Sequence, residues 1–218
     1  MKQHNSDNVS FNGGTSENAS ANHHDFHTSP LDSRGNFVAH HNTLPDDAVL
    51  TFEGRNNRVV IDGSVPLTGL KAHFLGDNGQ LVIGSSDHGL NIEVVVAENA
   101  NVVIGENVAT DGALTINTVP EARVAIGSVC YFRTEVSIDA DAAASLDASS
   151  ENVVTIEDRV LVTGSATQFR AGAHVGAGSV LEMTPIVDEA IPEASLVRGL
   201  PATVVRKASW SREHLPRG

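Results

Sequence analysis

The fold of this chain is decided by the stretch Arg123-Val-Ala-Ile-Gly-Ser-Val-Cys-Tyr-Phe132 and by four segments that repeat its pattern. Aligned on their isoleucines, the four segments read Arg58-Val-Val-Ile-Asp-Gly-Ser-Val65, Gln80-Leu-Val-Ile-Gly-Ser-Ser-Asp87, Asn101-Val-Val-Ile-Gly-Glu-Asn-Val108 and Val153-Val-Thr-Ile-Glu-Asp-Arg-Val160. The aligned isoleucines follow one another at intervals of 22, 21, 22 and 30 residues; they are Ile61, Ile83, Ile104, Ile126 and Ile156. A nearly fixed period with a constant apolar core predicts a solenoid.

Each repeat is built from short strands. Val102 and Ile104 flank one other residue, so both lie on the same face of a strand. Apolar residues also recur at steps of six, as in Ile126, Phe132 and Ile138. Three six-residue strands make a triangular rung, and the interval of 21 or 22 leaves room for a corner loop. We therefore expect Ile104 to point into a prism between Ile83 and Ile126.

The corners of the rungs carry turn residues. Asn, Asp and Gly tolerate the left-handed backbone conformation that a sharp corner needs. They occur in three of the four turns that precede a repeat, Arg55-Asn-Asn57, Gly76-Asp-Asn-Gly79 and Glu98-Asn-Ala100, and the fourth turn reads Pro120-Glu-Ala122. The 30-residue interval predicts a larger loop of about a dozen residues between Asp139 and Asn152.

Composition excludes several classes of function. The net charge of −13 in 218 residues argues against a nucleic-acid partner, because neutralising phosphates needs clustered Lys and Arg. The single cysteine, Cys130, excludes an intramolecular disulfide and fits a reducing compartment. No apolar run reaches 18 residues and no signal sequence is visible, so we expect no membrane partner and a cytoplasmic location.

Three regions are predicted. Residues 1–47 are rich in Asn, Ser and His and form a disordered polar arm; residues 48–190 form the parallel β-helix; residues 191–218 form a C-terminal extension, with a short helix from Ser209 to Leu215 that carries Trp210. The arm contains His23-His24-Asp25-Phe26-His27, which is either a metal site or a solvated polar segment. We favour the solvated segment, because the arm lacks the ligand spacing of a closed site.

Several motifs resemble one known family. They are the Ile-Gly-x-x-Val hexads, the loop after Cys130-x-Phe132, and the terminal run Ile191-Pro, Gly199-Leu-Pro-Ala and Val205-Arg-Lys207. Together they look like the hexapeptide-repeat acyltransferases, and most like the capsular and exopolysaccharide O-acetyltransferases. The resemblance implies an all-β, left-handed parallel β-helix and a homotrimer with active sites between subunits. It also implies acetyl-CoA as the donor and a carbohydrate hydroxyl as the acceptor.

The resemblance also identifies a missing residue. In that family a histidine in the loop after the Cys-x-Phe rung acts as the general base. A gap-free count from Cys130 places Ala144 at the histidine position and Ala142 at the position of the family aspartate. Asp158 and His174 are the candidate substitutes, although a polar corner residue and a solvated loop histidine are the simpler interpretations of the two.

His73, His88 and His174 occupy different positions of the repeat, so they do not stack on one edge of the prism. A zinc site needs converging imidazoles, so we expect solvated loop histidines and no zinc site. The donor would lie along the C-terminal rungs. The resemblance assigns acetyl-CoA contacts to Thr163, Gly164, Met183, Thr184, Arg198, Arg206 and Lys207, and the cations among them suit its phosphates. A solvated basic tail is the alternative for those cations.

Two functions therefore remain open from the sequence. One is an acetyl-CoA-dependent O-acetyltransferase that acts on a sugar or polysaccharide, with a displaced base. The other is a catalytically inactive trimeric β-helix scaffold, or a protein that binds a sugar or a nucleotide.

Overall fold

The computed structural model describes residues 8–9, 27–28, 32–41, 44–144, 151–208 and 210. The chain is a left-handed parallel β-helix; the repeats predicted a solenoid, and the family resemblance predicted its left-handed course. Its strands are short because each one spans a single side of a rung before the chain turns a corner.

The strands in the first half of the chain are β1 (Asn8–Val9), β2 (His27–Thr28), β3 (Phe37–His40), β4 (Val49–Phe52), β5 (Arg58–Ile61), β6 (Leu67–Phe74), β7 (Gln80–Ile83), β8 (Leu90–Val96), β9 (Asn101–Ile104), β10 (Ala109–Thr110) and β11 (Leu114–Asn117). The strands in the second half are β12 (Arg123–Ile126), β13 (Tyr131–Phe132), β14 (Val136–Asp139), β15 (Val153–Ile156), β16 (Leu161–Thr163), β17 (Thr167–Arg170), β18 (His174–Val175), β19 (Val180–Glu182), β20 (Ile186–Val187), β21 (Ala190–Ile191), β22 (Ser195–Arg198) and β23 (Thr203–Lys207). One turn of 3₁₀ helix spans Ala142–Ala144.

The strands form three sheets, one on each side of the prism. The nine-stranded sheet has the order β2-β3-β5-β7-β9-β12-β15-β18-β21, the eight-stranded sheet the order β1-β4-β6-β8-β11-β14-β17-β20, and the six-stranded sheet the order β10-β13-β16-β19-β22-β23. Pairing is parallel except for β1 with β4, β2 with β3, and β22 with β23. Each rung therefore bonds its backbone to the rungs on either side of it.

The isoleucines of the repeats stack in one row inside the prism. In the nine-stranded sheet Ile104 lies directly opposite Ile83 on one side and Ile126 on the other. Ile61 and Ile156 continue the row at its two ends. All five side chains are buried, and Ile104 is only 1% exposed. The predicted register of the repeats is confirmed.

The predicted corners are also confirmed. The backbone φ angles of Asn56, Asn78 and Asn99 are 56°, 60° and 54°, which places all three in the left-handed region. Asn78 Nδ2 donates a hydrogen bond of 3.0 Å to Asn99 Oδ1, so the asparagine side chains also bond along the stack. Glu121 occupies the next corner with a φ of 64°, although glutamate has no special tolerance for this conformation.

The solenoid starts earlier than residue 48. Strand β3 pairs in parallel with β5, and His40 takes the position opposite Ile61 in the isoleucine row. Among the described residues, the other neighbour of β3 is the two-residue strand β2, which pairs antiparallel and does not continue the repeat, so this rung gives a weak repeat signal. Most of the predicted N-terminal arm, including His23-His24-Asp25-Phe26, lies outside the described residues.

The solenoid also ends later than residue 190. Ile191 still pairs with Val175, and β22 still pairs in parallel with β19, so Pro192 occupies a corner and does not end the stack. Strand β23 then folds back antiparallel to β22. Trp210 packs on the outside of the six-stranded sheet, 6.5 Å from Tyr131 between ring centroids. The rest of the predicted C-terminal helix falls outside the described part of the chain.

Among the described residues no helix has the length and apolar character needed to cross a membrane.

Candidate functional site

The outer face of the nine-stranded sheet carries a paired histidine and glutamate. His174 Nε2 lies 2.7 Å from Glu157 Oε1, and the side chains are 53% and 42% exposed. The second oxygen of Glu157 accepts a hydrogen bond of 2.9 Å from the backbone N–H of Ala177. The bond from His174, followed by the bond from Ala177, holds the pKa of the Glu157 carboxyl below its ordinary value.

Glu157 therefore fixes the orientation of the imidazole. An ionised carboxylate only accepts hydrogen bonds, so the neutral imidazole carries its proton on Nε2 and leaves Nδ1 with a free lone pair. Within the described part of the chain no hydrogen bond reaches His174 Nδ1. A histidine held on one side by a carboxylate and open on the other has the arrangement of a general base.

This pair lines an open groove of about 360 Å³. The groove is bounded by Glu157, His174, Gly176, Ala190, Ile191, Pro192 and Glu193. It has polar groups on an apolar floor, as small-molecule sites commonly do.

The groove lies beyond the C-terminal end of β15, the strand that follows the long insertion of the solenoid. The insertion separates β14 from β15, as the 30-residue interval predicted, and residues 145–150 within it are not described. His174 lies opposite Thr155, one rung above the strand that follows the insertion. The backbone N–H of Gly172 donates a hydrogen bond of 2.8 Å to Val153 O at the base of that strand. His174 therefore lies one rung beyond the strand that the insertion precedes.

Asp158, the other candidate base, is part of a corner. Its Oδ1 accepts a hydrogen bond of 2.7 Å from the backbone N–H of Ser128 on the rung below. One rung further down, the hydroxyl of Ser128 accepts a bond of 3.1 Å from Glu106 N. This geometry matches the structural interpretation of Asp158 as a polar corner residue.

The insertion begins with the 3₁₀ turn that contains Ala144. The N–H of Ala142 donates to Asn152 Oδ1 at 2.9 Å, which ties the start of the insertion to its end. Alanine has no group that exchanges a proton, so this turn offers no base.

The remaining solenoid histidines lie elsewhere. His73 Nε2 pairs with Glu53 Oε1 at 2.9 Å on the eight-stranded sheet, and His88 lies in a turn held by the hydroxyl of Ser86. Residues 8–9, 27–28, 32–41, 44–144, 151–208 and 210 contain no group of three His, Cys, Asp or Glu that could hold a metal ion.

The thiol of Cys130 is a structural group. It is fully buried, and burial raises its pKa to about 12. A thiol that stays protonated inside the prism is not a nucleophile.

The predicted donor residues separate into two groups. Thr163, Gly164 and Met183 share a corner, where Met183 N donates to Thr163 O at 3.0 Å. Met183 is 62% exposed. Thr184 next to it is fully buried, and its hydroxyl donates to Val197 O at 3.3 Å, which makes it a core residue.

The predicted cations are also divided. Arg198 lies near the corner that contains Met183, but its guanidinium is bound to the carboxylate of Glu182. Arg206 and Lys207 lie at the far end of β23, where Lys207 is opposite Ser195. Among the residues the structure describes, none bonds to the Lys207 ammonium group.

The end of β23 is close to the His174 groove. Ala190, which is opposite His174, and Ser195, which is opposite Lys207, are five residues apart in the chain. Such a segment spans at most about 17 Å. Lys207 and the His174 groove therefore lie at the same end of the solenoid.

Neither a family model nor a curated protein matches the sequence. Among solved structures, the crystal structure of the polySia specific acetyltransferase NeuO matches with a TM-score of 0.63 and 26% sequence identity. The match covers 72% of this chain and 76% of that one. The chain is therefore a hexapeptide-repeat, left-handed β-helix protein that resembles the acyltransferases of this fold.

Proposed function

We propose that the protein is an acetyl-CoA-dependent O-acetyltransferase that acts on a hydroxyl of a sugar or polysaccharide, with His174 as its general base. The observation that carries this proposal is the exposed His174–Glu157 pair, which lines a groove on the outside of the prism. The fold, shared with a polysialic-acid acetyltransferase, supports the reaction class.

In this mechanism Nδ1 of His174 takes the proton of the acceptor hydroxyl as its oxygen attacks the thioester carbonyl. The carbon–sulfur bond then breaks, and the imidazolium returns the proton to the departing thiolate. Glu157 stabilises the imidazolium through Nε2 while the proton is held. Alanine at 144 is tolerated because the base is supplied from a neighbouring rung.

On the donor side, Arg206 and Lys207 are the cations available for the phosphates of coenzyme A. Both residues are exposed, whereas Arg198 is already neutralised by Glu182. Met183 and Gly164 lie at another corner of the solenoid. We therefore propose that they contribute less to donor binding than Arg206 and Lys207. The carboxylates of Glu157 and Glu193 in the groove favour an uncharged acceptor over an acidic sugar.

The nine-stranded sheet also suits the proposed homotrimer. Outward-facing side chains in register form a flat apolar row that leads towards His174; these are Val60, Val82, Val103 and Ala125. Val103 is 37% exposed, which is unusual for a valine in the middle of a strand. A second subunit on this row would border the His174 groove and close it from water. We propose that this assembly acts in the cytoplasm, where the lone Cys130 stays reduced.

A non-catalytic scaffold is the second candidate. The observation that favours it is alanine at 144, because a relative that has lost its base keeps the fold without the reaction. In that case the trimer would bind a sugar or a nucleotide without transferring an acyl group.

The experiment that separates the candidates measures thiol release from acetyl-CoA with a panel of sugars, together with acetyl-CoA binding by calorimetry. Thiol release by the unaltered chain supports the enzyme. Binding without release, with release restored by Ala144→His and Ala142→Asp together, would show a preserved donor site without an active base. Absence of acetyl-CoA binding in every variant would establish the scaffold.

A further inference from the structure

A larger groove lies on a different side of the prism. It occupies the eight-stranded sheet and has a volume of about 570 Å³. Its lining consists of Ala113, Thr115, Glu135, Val136, Ser137, Ala166, Thr167, Gln168 and Pro185. The His174 groove shares none of these residues.

A row of neutral polar side chains forms the floor of this groove. Thr115, Ser137 and Gln168 lie opposite one another on successive strands. Neighbouring strands are about 4.8 Å apart, so the row presents a polar group at regular intervals along the solenoid axis. The hydroxyls of Thr115 and Ser137 bond to no other residue that the structure describes.

Gln168 is held in place but keeps its donors. Its Oε1 accepts a hydrogen bond of 3.1 Å from Arg170 Nε, which fixes the amide plane. The amide NH₂ group is then free to donate to a ligand. Hydroxyl, hydroxyl and amide together offer both donors and acceptors, which matches a ligand that carries many hydroxyl groups.

The same row is charged outside the groove. On the strand before that of Thr115 the equivalent position is Glu93, and on the strand before that it is Lys71. Lys71 Nζ lies 3.7 Å from Glu93 Oε2. Neutral polar side chains therefore replace the charged pair where the groove begins.

The walls of the groove are small and apolar. Ala113, Ala166 and Pro185 line the edge at which the strands start. Such surfaces pack against the C–H face of a sugar ring, while the polar row meets its hydroxyls. Glu135 is the one ionisable side chain that lines the groove, and it gives an anionic ligand no attraction.

We infer that this groove is a binding subsite for a neutral oligosaccharide, separate from the His174 groove. Its evidence is independent of acetyl transfer. For a polymeric acceptor, the subsite would retain the chain on one side of the prism while another part of the polymer is modified.

The test uses the full chain on a glycan array that carries both neutral and polyanionic oligosaccharides, followed by calorimetric titration of the best neutral oligomer. Thr115→Val and Ser137→Ala remove the hydroxyls and keep the shape of the strands. Each should weaken binding about three- to tenfold, the usual value of one hydrogen bond. Ser137→Trp should fill the groove and abolish binding.

Two control variants locate the site. Glu93→Gln lies on the same outer row but outside the groove, and His73→Asn lies on β6, two strands before the groove, so both should bind with unchanged affinity. Circular dichroism of each variant shows whether it has folded. The inference is overturned if no neutral glycan binds, if polyanionic glycans bind in their place, or if Ser137→Trp folds and binds normally.

Discussion

Nε2 of His174 is bonded to Oε1 of Glu157 at 2.7 Å, although the two residues are 17 positions apart and lie on neighbouring rungs. The stacking of the solenoid brings them together, because the end of β15 lies beside β18. The pair places an oriented imidazole on the outside of the prism, one rung beyond the strand that follows the insertion.

Glu157→Gln tests whether this pair exists in solution. Because the folded-state pKa of Glu157 is lowered, its contribution to stability is present above the ordinary value of about 4.3 and is lost as the pH falls through the folded value. The variant should therefore have a lower Tm than the wild type at pH 6, and the difference should shrink at pH 3. Glu193→Gln, in the same groove but not bonded to His174, is the control. An equal difference at both pH values would contradict the pairing.

Ile104 tests the register of the stack. It is 1% exposed between Ile83 and Ile126, so Ile104→Asp would bury an unpaired carboxylate and cost several kcal/mol of unfolding free energy. Ile104→Val should cost about 0.5–1.5 kcal/mol. Denaturant unfolding measures both. An aspartate variant as stable as the wild type would mean that this side chain does not face the interior.

The sequence was sufficient to predict this register because every rung buries the same position. The period is visible in the sequence as regularly spaced isoleucines, and the corners are visible as asparagines such as Asn56 and Asn78. The ends of the solenoid give weaker sequence signals than its middle. His40 occupies the anchor position of the terminal rung, although it is not apolar, and Pro192 lies at a corner within the stack. Neither residue marks the end of the solenoid, although a polar residue or a proline would suggest one.

The candidate site was less accessible from the sequence. His174 was a candidate, but Glu157 was missed as its partner. Glu157 directly follows the last buried residue of β15, and the pairing of Thr155 with His174 on the next rung brings it diagonally beside His174. The pair could have been predicted by aligning Ile156 with Val175 as anchors of successive rungs. This alignment places Glu157 and His174 on the same face of the sheet.

Val103→Asp tests the proposed trimer surface. Val103 faces outward on β9, so a charge there is solvated in a monomer but is buried between subunits in a trimer. We expect light scattering at about 10 μM to give a trimer mass for the wild type and a monomer mass for the variant, as such an unpaired buried charge costs about 3–5 kcal/mol. Val95→Asp, an outward valine on the eight-stranded sheet, should remain trimeric. A monomeric wild type would contradict the assembly.

The central claim is that His174 is the general base, and a matched pair of substitutions tests it. His73 is the control, because it also pairs with a glutamate, Glu53, at 2.9 Å, but on the eight-stranded sheet. The measurement is the rate of thiol release from acetyl-CoA with an accepted sugar. The account predicts that His174→Asn lowers the rate by about 10²–10⁴-fold, the usual contribution of a general base, and that His73→Asn leaves it unchanged. A folded His174→Asn protein that releases thiol at the wild-type rate would contradict the account.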